Sequence, residues 1–312
     1  MVPLLIGITL LSFLVIQLVP GDPGSVTADL NPKVSPEMLE KLRSHYGLNA
    51  PLHEQYLNWL SRLLVLDFGQ SFQPGGGDVF TMIMAALPIT LGMNIVGLLV
   101  VLVLAIPVGV VAARYQNGVF DRTSTVLLFI AFAAPSFWIG LLAMQWLGVH
   151  LGIVPISGIQ SFGSESWPWY WQMLDVVHHL TLPVTIGVLS ALAGMSRYMR
   201  STMLEVIRQD YITTARAKGA SEKRVLWRHA LPNALLPVIT ILGLSLPGLI
   251  GGSVIIESLF AIPGMGKLFY DGVMMRDYPL IMGILTLGAV LTLLGNLLAD
   301  VGYALVDPRV RV

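Results

Sequence analysis

Six stretches of the chain carry no Asp, Glu, Lys or Arg: 2–19, 87–113, 123–149, 180–196, 233–256 and 280–299. A hydrocarbon core about 30 Å thick takes about 20 mostly apolar residues of helix. The runs therefore predict an all-α integral membrane protein with six transmembrane helices, the fourth being the shortest. Pro107, Pro135, Pro183 and Pro247 fall inside them. Membrane helices tolerate such prolines because neighbouring groups satisfy the freed carbonyls. Barrel strands would alternate in polarity over about ten residues, and these runs do not. The first run competes with a signal peptide, since Val26-Thr27-Ala28 would serve as a cleavage site. It has no basic residue before it and is long for a signal core, so an uncleaved first span is expected.

Between the first two runs the pattern changes to amphipathic. Ser35-Pro36-Glu37 reads as a helix start with Pro at the first helical position, and Gly47 ends that helix. Pro51 opens a second, with Leu52, Tyr56, Trp59, Leu60, Leu63 and Leu64 at helical spacing. Gly75-Gly76-Gly77 forms a turn before the second run. Three parts follow: a first span at 1–19, an external helical segment at 20–86, and a five-helix core at 87–312 whose longest polar loop is 197–232.

Charge orients this layout. The chain has 18 Lys+Arg and 18 Asp+Glu, with only 12% charged and 55% hydrophobic residues, which suits a membrane protein and not a soluble domain. Assigned to sides, Arg114, Arg122, the eight basic residues of 197–232, Arg309 and Arg311 share one face. Lys33, Lys41, Arg43, Arg62, Lys267 and Arg276 share the other. The richer face is cytoplasmic by the positive-inside rule, which puts both termini in the cytoplasm. The Trp167, Trp169 and Trp171 cluster of the second external segment suits a membrane interface. No basic excess supports a nucleic-acid binder.

No complete catalytic pattern occurs in the sequence. Zero Cys removes thiol and Cys-metal chemistry. Gly264-Met265-Gly266-Lys267 resembles half a phosphate loop but has Ala261 and Leu268 at two required positions. His178-His179 lacks further ligands at metal spacing, and no Gly-x-Ser-x-Gly turn occurs. No bound cofactor is expected. The spans hold no mid-membrane charge, unlike ion-coupled transporters. They do carry uncharged polar residues, of which Asn94, Gln145, Ser190, Ser245 and Asn296 are candidates either for helix–helix hydrogen bonds or for lining a polar pathway. Gly248 and Gly252 form a Gly-x-x-x-Gly pair suited to close helix packing.

The 197–232 loop is the most informative stretch. Thr202 to Lys218 is helix-compatible, Gly219 breaks the helix, and Ser221 can cap a second one with Glu222 in its first turn. Ala215 and Ala217 beside the corner leave room for another protein. A loop that only sets topology needs neither feature.

The loop resembles the coupling loop of ATP-binding-cassette importer permeases, whose pattern is Glu-Ala-Ala, three residues, Gly, nine residues, Ile, one residue, Leu-Pro. Here Thr213-Thr214-Ala215, Gly219, His229 and Leu231-Pro232 fill those places. Thr213 and His229 depart from the general pattern. Asp210 through Gly219 reproduces the string usual in the peptide/nickel branch. Pro20-Gly21-Asp22-Pro23, Asp67-Phe68-Gly69-Gln70-Ser71, Gly251-Gly252-Ser253, Glu257, Pro263-Gly264-Met265-Gly266, Arg276-Asp277-Tyr278-Pro279 and the tail Asp307-Pro308-Arg309-Val310-Arg311 resemble the same branch, in order, over nearly the whole chain. Such subunits usually begin with a short basic cytoplasmic segment, whereas this sequence begins almost inside its first run.

The resemblance implies a type I importer permease, the first of two permease subunits of a dipeptide/oligopeptide-type system in a prokaryotic inner membrane, carrying di- or oligopeptides or glutathione-like peptides. It implies a homologous second permease, two ATPase subunits that hold ATP and Mg, and an extracytoplasmic binding protein as partners, with membrane lipid around the spans. The residues implied in ATPase coupling are Thr213, Thr214, Ala215, Arg216, Ala217, Lys218, Gly219 and Glu222, with Arg216 and Lys218 expected to meet acids of the ATPase. The alternatives are a non-transporting scaffold, a stand-alone channel, or a permease for nickel or a sugar- or opine-type solute.

Overall fold

The computed structural model describes residues 2–18, 36–45, 47–73 and 75–306. Motif residues 20–23, the possible cleavage site at 26–28, Ser35 and the tail 307–311 lie outside them. Among the described residues the protein is helical, with one isolated bridge between Gln70 and Asp78.

The apolar runs fold as helices of unequal form. We number them α1 (Val2–Leu18), α2 (Pro36–His45), α3 (Leu52–Leu63), α4 (Val79–Arg114), α5 (Val119–Ala133), α6 (Ser136–Ala143), α7 (Trp169–Ile207), α8 (Asp210–Ala217), α9 (Glu222–Arg224), α10 (Leu231–Ala234), α11 (Leu236–Ser245), α12 (Val254–Leu259), α13 (Met265–Met274) and α14 (Tyr278–Val306). Stretches of α4, α7 and α14 are long and apolar enough to cross a membrane. Two bent pairs raise that number to at most five, and α1 is a shorter apolar helix. Among the described residues the count is thus three to five, and the expected six is reached only if the shorter α1 also crosses.

The bends have local causes. The run 123–149 was expected as one helix, but it turns by 95° between α5 and α6. Ala134 is extended, at φ −78° and ψ 132°, because the ring of Pro135 disfavours the helical conformation in the residue before it. The second half then widens into a π-helix at Met144–His150. Pro107 and Pro183 lie within unbroken helices. The run 233–256 also departs from a single span: α11 gives way to a 3-10 turn at Leu246–Leu249, which contains Pro247, and Gly252 takes φ +62°. Gly248 and Gly252 therefore do not share a helix face, and a Cβ at Gly248 would touch nothing. Within this chain Gly248 therefore makes no close helix contact.

Two compact units emerge. The first gathers the chain up to Leu91, Ile250–Val254 and Pro263–Gly295. Its core joins Phe68, Val79, Ile83, Ala86, Met265, Leu280 and Ile284, beside a second cluster of Phe13, Ile16, Ile281 and Met282 onto which Tyr56 and Trp59 of α3 pack. The amphipathic α3 thus lies against α1, where the Tyr56 hydroxyl and Thr9 Oγ1 are 3.1 Å apart.

Several motifs find their physical reason in this unit. The Asp67 carboxylate takes two hydrogen bonds from Arg62 and one from the Gly69 N–H, and these hold it below the usual carboxylate range. Ser71 Oγ donates to buried Asp277 at 2.5 Å. Burial pushes the Asp277 carboxyl up, against bonds from Ser71 and the backbone. At Gly266 a Cβ would stand 2.7 Å from the Val254 nitrogen, so only glycine fits. The Met265 N–H donates to buried Thr90 Oγ1 at 2.8 Å.

The second unit gathers Gly92–Leu249, Ile255–Ile262 and the chain from Asn296. Its core carries the polar loop.

Candidate functional site

The polar loop is a corner built on a buried plug. α7 ends at Ile207, two residues turn, and α8 restarts at Asp210. The continuous helix expected from Thr202 is therefore broken at Arg208-Gln209. Asp210 lies in the first turn, where a negative charge favours the helix dipole. Ile212 is fully buried, together with Val225, Leu226, Ala230 and Ala234 from the return arm, against Met199 and Met203 of α7 and Val110 and Ala113 of α4. Asn233 Nδ2 donates to the Tyr211 hydroxyl at 2.7 Å and ties the two arms again.

The corner itself is closed by its backbone. The Gly219 N–H donates to the Arg216 carbonyl at 2.9 Å, and the Ala220 N–H to the Ala215 carbonyl at 3.2 Å. This bond pair needs a left-handed residue after the helix, and Gly219 supplies it at φ +80°. Ser221 stands at the cap position of the return arm, as expected, but its side chain makes no capping bond.

The eight residues singled out from the sequence come together here. Thr213, Thr214, Arg216, Ala217, Lys218, Gly219 and Glu222 are exposed and Ala215 is half-buried, while Ile212 beneath them is the anchor. Arg216 Nε donates to Glu222 Oε1 at 2.8 Å across the corner, and the guanidinium holds the Glu222 carboxyl below its ordinary range. Arg216 was expected to meet acids of another protein; in this structure its partner is the chain's own Glu222.

The candidate pathway residues are spread over five elements. Asn94 Nδ2 donates to the Leu249 carbonyl at 2.6 Å, and Ser245 Oγ to the Leu242 carbonyl at 2.8 Å. Gln145, Ser190 and Asn296 are exposed.

Two polar clusters escaped the sequence reading. Asp121, almost fully buried, receives Arg200 Nε at 2.6 Å and Arg200 Nη2 at 2.8 Å, and also the Asn117 N–H. Arg200 lowers the Asp121 pKa, and Asp121 raises that of Arg200. The pair straps the α4–α5 loop to the end of α7 that leads into the corner. Asp175 accepts from the Ser161 N–H and Oγ, with His179 Nδ1 at 3.4 Å. Burial would raise the Asp175 carboxyl, but the Ser161 bonds and the two histidines keep it lowered. Asp121 and Arg200 are 79 residues apart, and no local periodicity links them.

The chain belongs to the family described as binding-protein-dependent transport system inner membrane component, whose profile matches residues 105–312. The companion N-terminal profile of such membrane components matches residues 1–94. Over 310 residues the chain is 46% identical to the oligopeptide transport system permease protein AppB of Bacillus subtilis (strain 168), covering 99% of this chain and 96% of that one. It is 36% identical to the dipeptide transport system permease protein DppB of Escherichia coli (strain K12), covering 99% and 96%. The di/tripeptide transport system permease protein DppB of Pseudomonas aeruginosa (strain UCBPP-PA14) is also 36% identical, covering 100% and 96%. An inward-facing structure of the MetNI methionine ABC transporter shares the fold, with a TM-score of 0.54 at 19% identity over 73% of this chain and 97% of that one.

Proposed function

We propose that this chain is a permease subunit of an ATP-driven importer of di- or oligopeptides. It crosses a prokaryotic inner membrane six times with both termini in the cytoplasm. A homologous second permease completes the pathway, two ATPase subunits bind and hydrolyse ATP, and an extracytoplasmic binding protein delivers the peptide. The peptide class rests on the names of the relatives that match nearly the whole chain. Asn94, Gln145, Ser190, Ser245 and Asn296 are the pathway-lining candidates.

One observation carries the coupling role: an exposed eight-residue helix ending in a left-handed glycine, pinned from beneath by Ile212 to α4 and α7. A push on Thr213–Gly219 is delivered to membrane-crossing helices as a rigid-body movement. In this reading Arg216 exchanges Glu222 for an acid of the ATPase on docking, and Lys218 adds a second cationic contact.

The test replaces Gly219. A Cβ there meets open space, so the penalty is conformational, about 1–2 kcal/mol for a side chain held left-handed. In proteoliposomes with the cognate ATPases and binding protein, Gly219→Val should lower peptide uptake per ATP hydrolysed. Gly219→Asn, which tolerates that conformation, should keep it. Normal coupling in the Val variant sinks the proposal. Peptide uptake without the ATPases would favour a channel, and no peptide-dependent ATP turnover would favour a scaffold. Uptake of nickel or a sugar in place of peptide would revise only the substrate.

A further inference from the structure

The second unit holds a groove of about 390 Å³ between α5 and α7. Phe129 and Phe132 of α5 wall it, and Ala193 and Gly194 of α7 form its floor. A Cβ at Gly194 would meet nothing within 4 Å, so the groove is open above that residue. Arg197 and Tyr198 line its other end, with Arg197 about 6 Å along α7 from Ala193. The two phenylalanines, Ala193 and Gly194 belong to the charge-free runs 123–149 and 180–196, and Arg197 is the first residue past the second run. The groove thus runs from an apolar end inside the spans to a basic and phenolic end at their edge.

Two arginines close to one another on α7 are used differently. Arg200 gives its fork to Asp121. Arg197, three residues earlier and on nearly the same side of the helix, is exposed, and its side chain makes no hydrogen bond or ion pair among the described residues. The Tyr198 hydroxyl has no partner there either. Arg122, beside Asp121 on α5, is exposed, and its charge acts on the same carboxylate. Residues 119–133 and 193–203 therefore bring three arginines together with one acid. The one acid is spent on Arg200, which leaves the mouth of the groove positive.

We propose that this groove binds an anionic phospholipid, with the phosphate at Arg197 and Tyr198 and an acyl chain along Phe129, Phe132 and Gly194. An unpaired guanidinium and a free phenol O–H complement phosphate oxygens, and the rings and the bare Gly194 backbone leave an apolar channel for hydrocarbon. Phe129 and Phe132 are largely exposed, as are Val126, Leu127 and Ile130 on the same helix, so the channel opens sideways onto an apolar surface. In the topology proposed above, on which the choice of side rests, the lipid belongs to the inner leaflet.

The test uses the complete importer taken from vesicles of phosphatidylethanolamine and phosphatidylglycerol, with retained lipid counted by native mass spectrometry. Arg197→Gln removes an exposed charge that holds no partner in the chain, so it should fold as the parent does. Its retention of phosphatidylglycerol should fall about five-fold, the worth of one basic residue at an anionic surface, with phosphatidylethanolamine unchanged. Gly194→Trp should fill the groove and lower phosphatidylglycerol similarly with Arg197 intact, while Arg197→Lys should retain it. Equal retention by the parent, Arg197→Gln and Gly194→Trp proteins overturns the proposal. Loss of the second permease from the Gly194→Trp complex overturns it in favour of a subunit interface. Displacement of the lipid by inorganic phosphate overturns it in favour of a free-anion site, and a loss confined to Arg197→Gln overturns the acyl-chain part. Peptide uptake by the same preparations reports on the transport reading independently of lipid retention.

Discussion

Asp121 shows how much one residue decides. Its carboxylate takes both ends of the Arg200 fork and also closes the Asn117 turn. Asp121→Ala leaves a half-buried guanidinium without that partner, a loss of about 1.5–3 kcal/mol for a charge-assisted pair. We expect faster proteolysis of the 114–122 loop and less uptake per ATP. The exchanged pair Asp121→Arg with Arg200→Asp should recover part of both. The pH sign follows from the lowered Asp121 pKa. Its contribution is full above the ordinary carboxylate value near 3.8 and is lost as pH falls through the depressed folded value. Thermal unfolding of parent and Asp121→Asn should therefore converge only on strong acidification, and convergence near neutrality would contradict the strap. Ile212 makes the matching case for packing. Truncation of a fully buried Ile to Ala costs about 2–5 kcal/mol, read as faster amide exchange across Asp210–Ala217. None of these pairings was legible from the sequence, because charge and apolarity are local properties and partnership is not.

Helix ends carry a common device. Among the described residues, Gly47, Leu66, Gly219, Ala261 and Arg276 all take positive φ. Each donates its N–H three residues back, and the next residue donates five back. Glycine marks two of these corners, and those two were visible as helix stops in the sequence. The other three were silent because the residue types there do not advertise the conformation. Ala261→Gly should be neutral or stabilising by up to about 1 kcal/mol, and Gly219→Ala should destabilise by a similar amount. Thermal unfolding of the two variants checks the sign, and equal destabilisation would refute the shared geometry. Proline makes the converse point. Pro135 bends its run by 95°, whereas Pro107 and Pro183 sit in continuous helices. The preceding residue can leave the helix only where the packing lets the chain turn, so one residue type has two outcomes.

At the scale of the whole molecule, the absence of cysteine makes the topology directly testable. Lys218→Cys and Phe162→Cys place single thiols on exposed positions. In sealed right-side-out vesicles an impermeant maleimide should label Cys at 162 and leave Cys at 218 untouched until the membrane is opened. Labelling of both from outside would overturn the proposed orientation. The same vesicles test whether α5 and α6 cross together, since a 95° bend also permits a segment that re-enters from one side.

The amino-acid sequence by itself determined the solvent of this protein, its helical class and the glycine corner at Gly219. These follow from free energies that act residue by residue: transfer of apolar side chains into lipid, the cost of moving charge there, and the conformational freedom of glycine. Tertiary structure decided which prolines bend, where the apolar runs break, that Arg216 holds Glu222, and that Asp121 meets Arg200 and Ser71 meets Asp277. Those outcomes depend on which distant segments come within bonding distance, and loss of water around a buried carboxylate makes its partner matter only after the chain has folded.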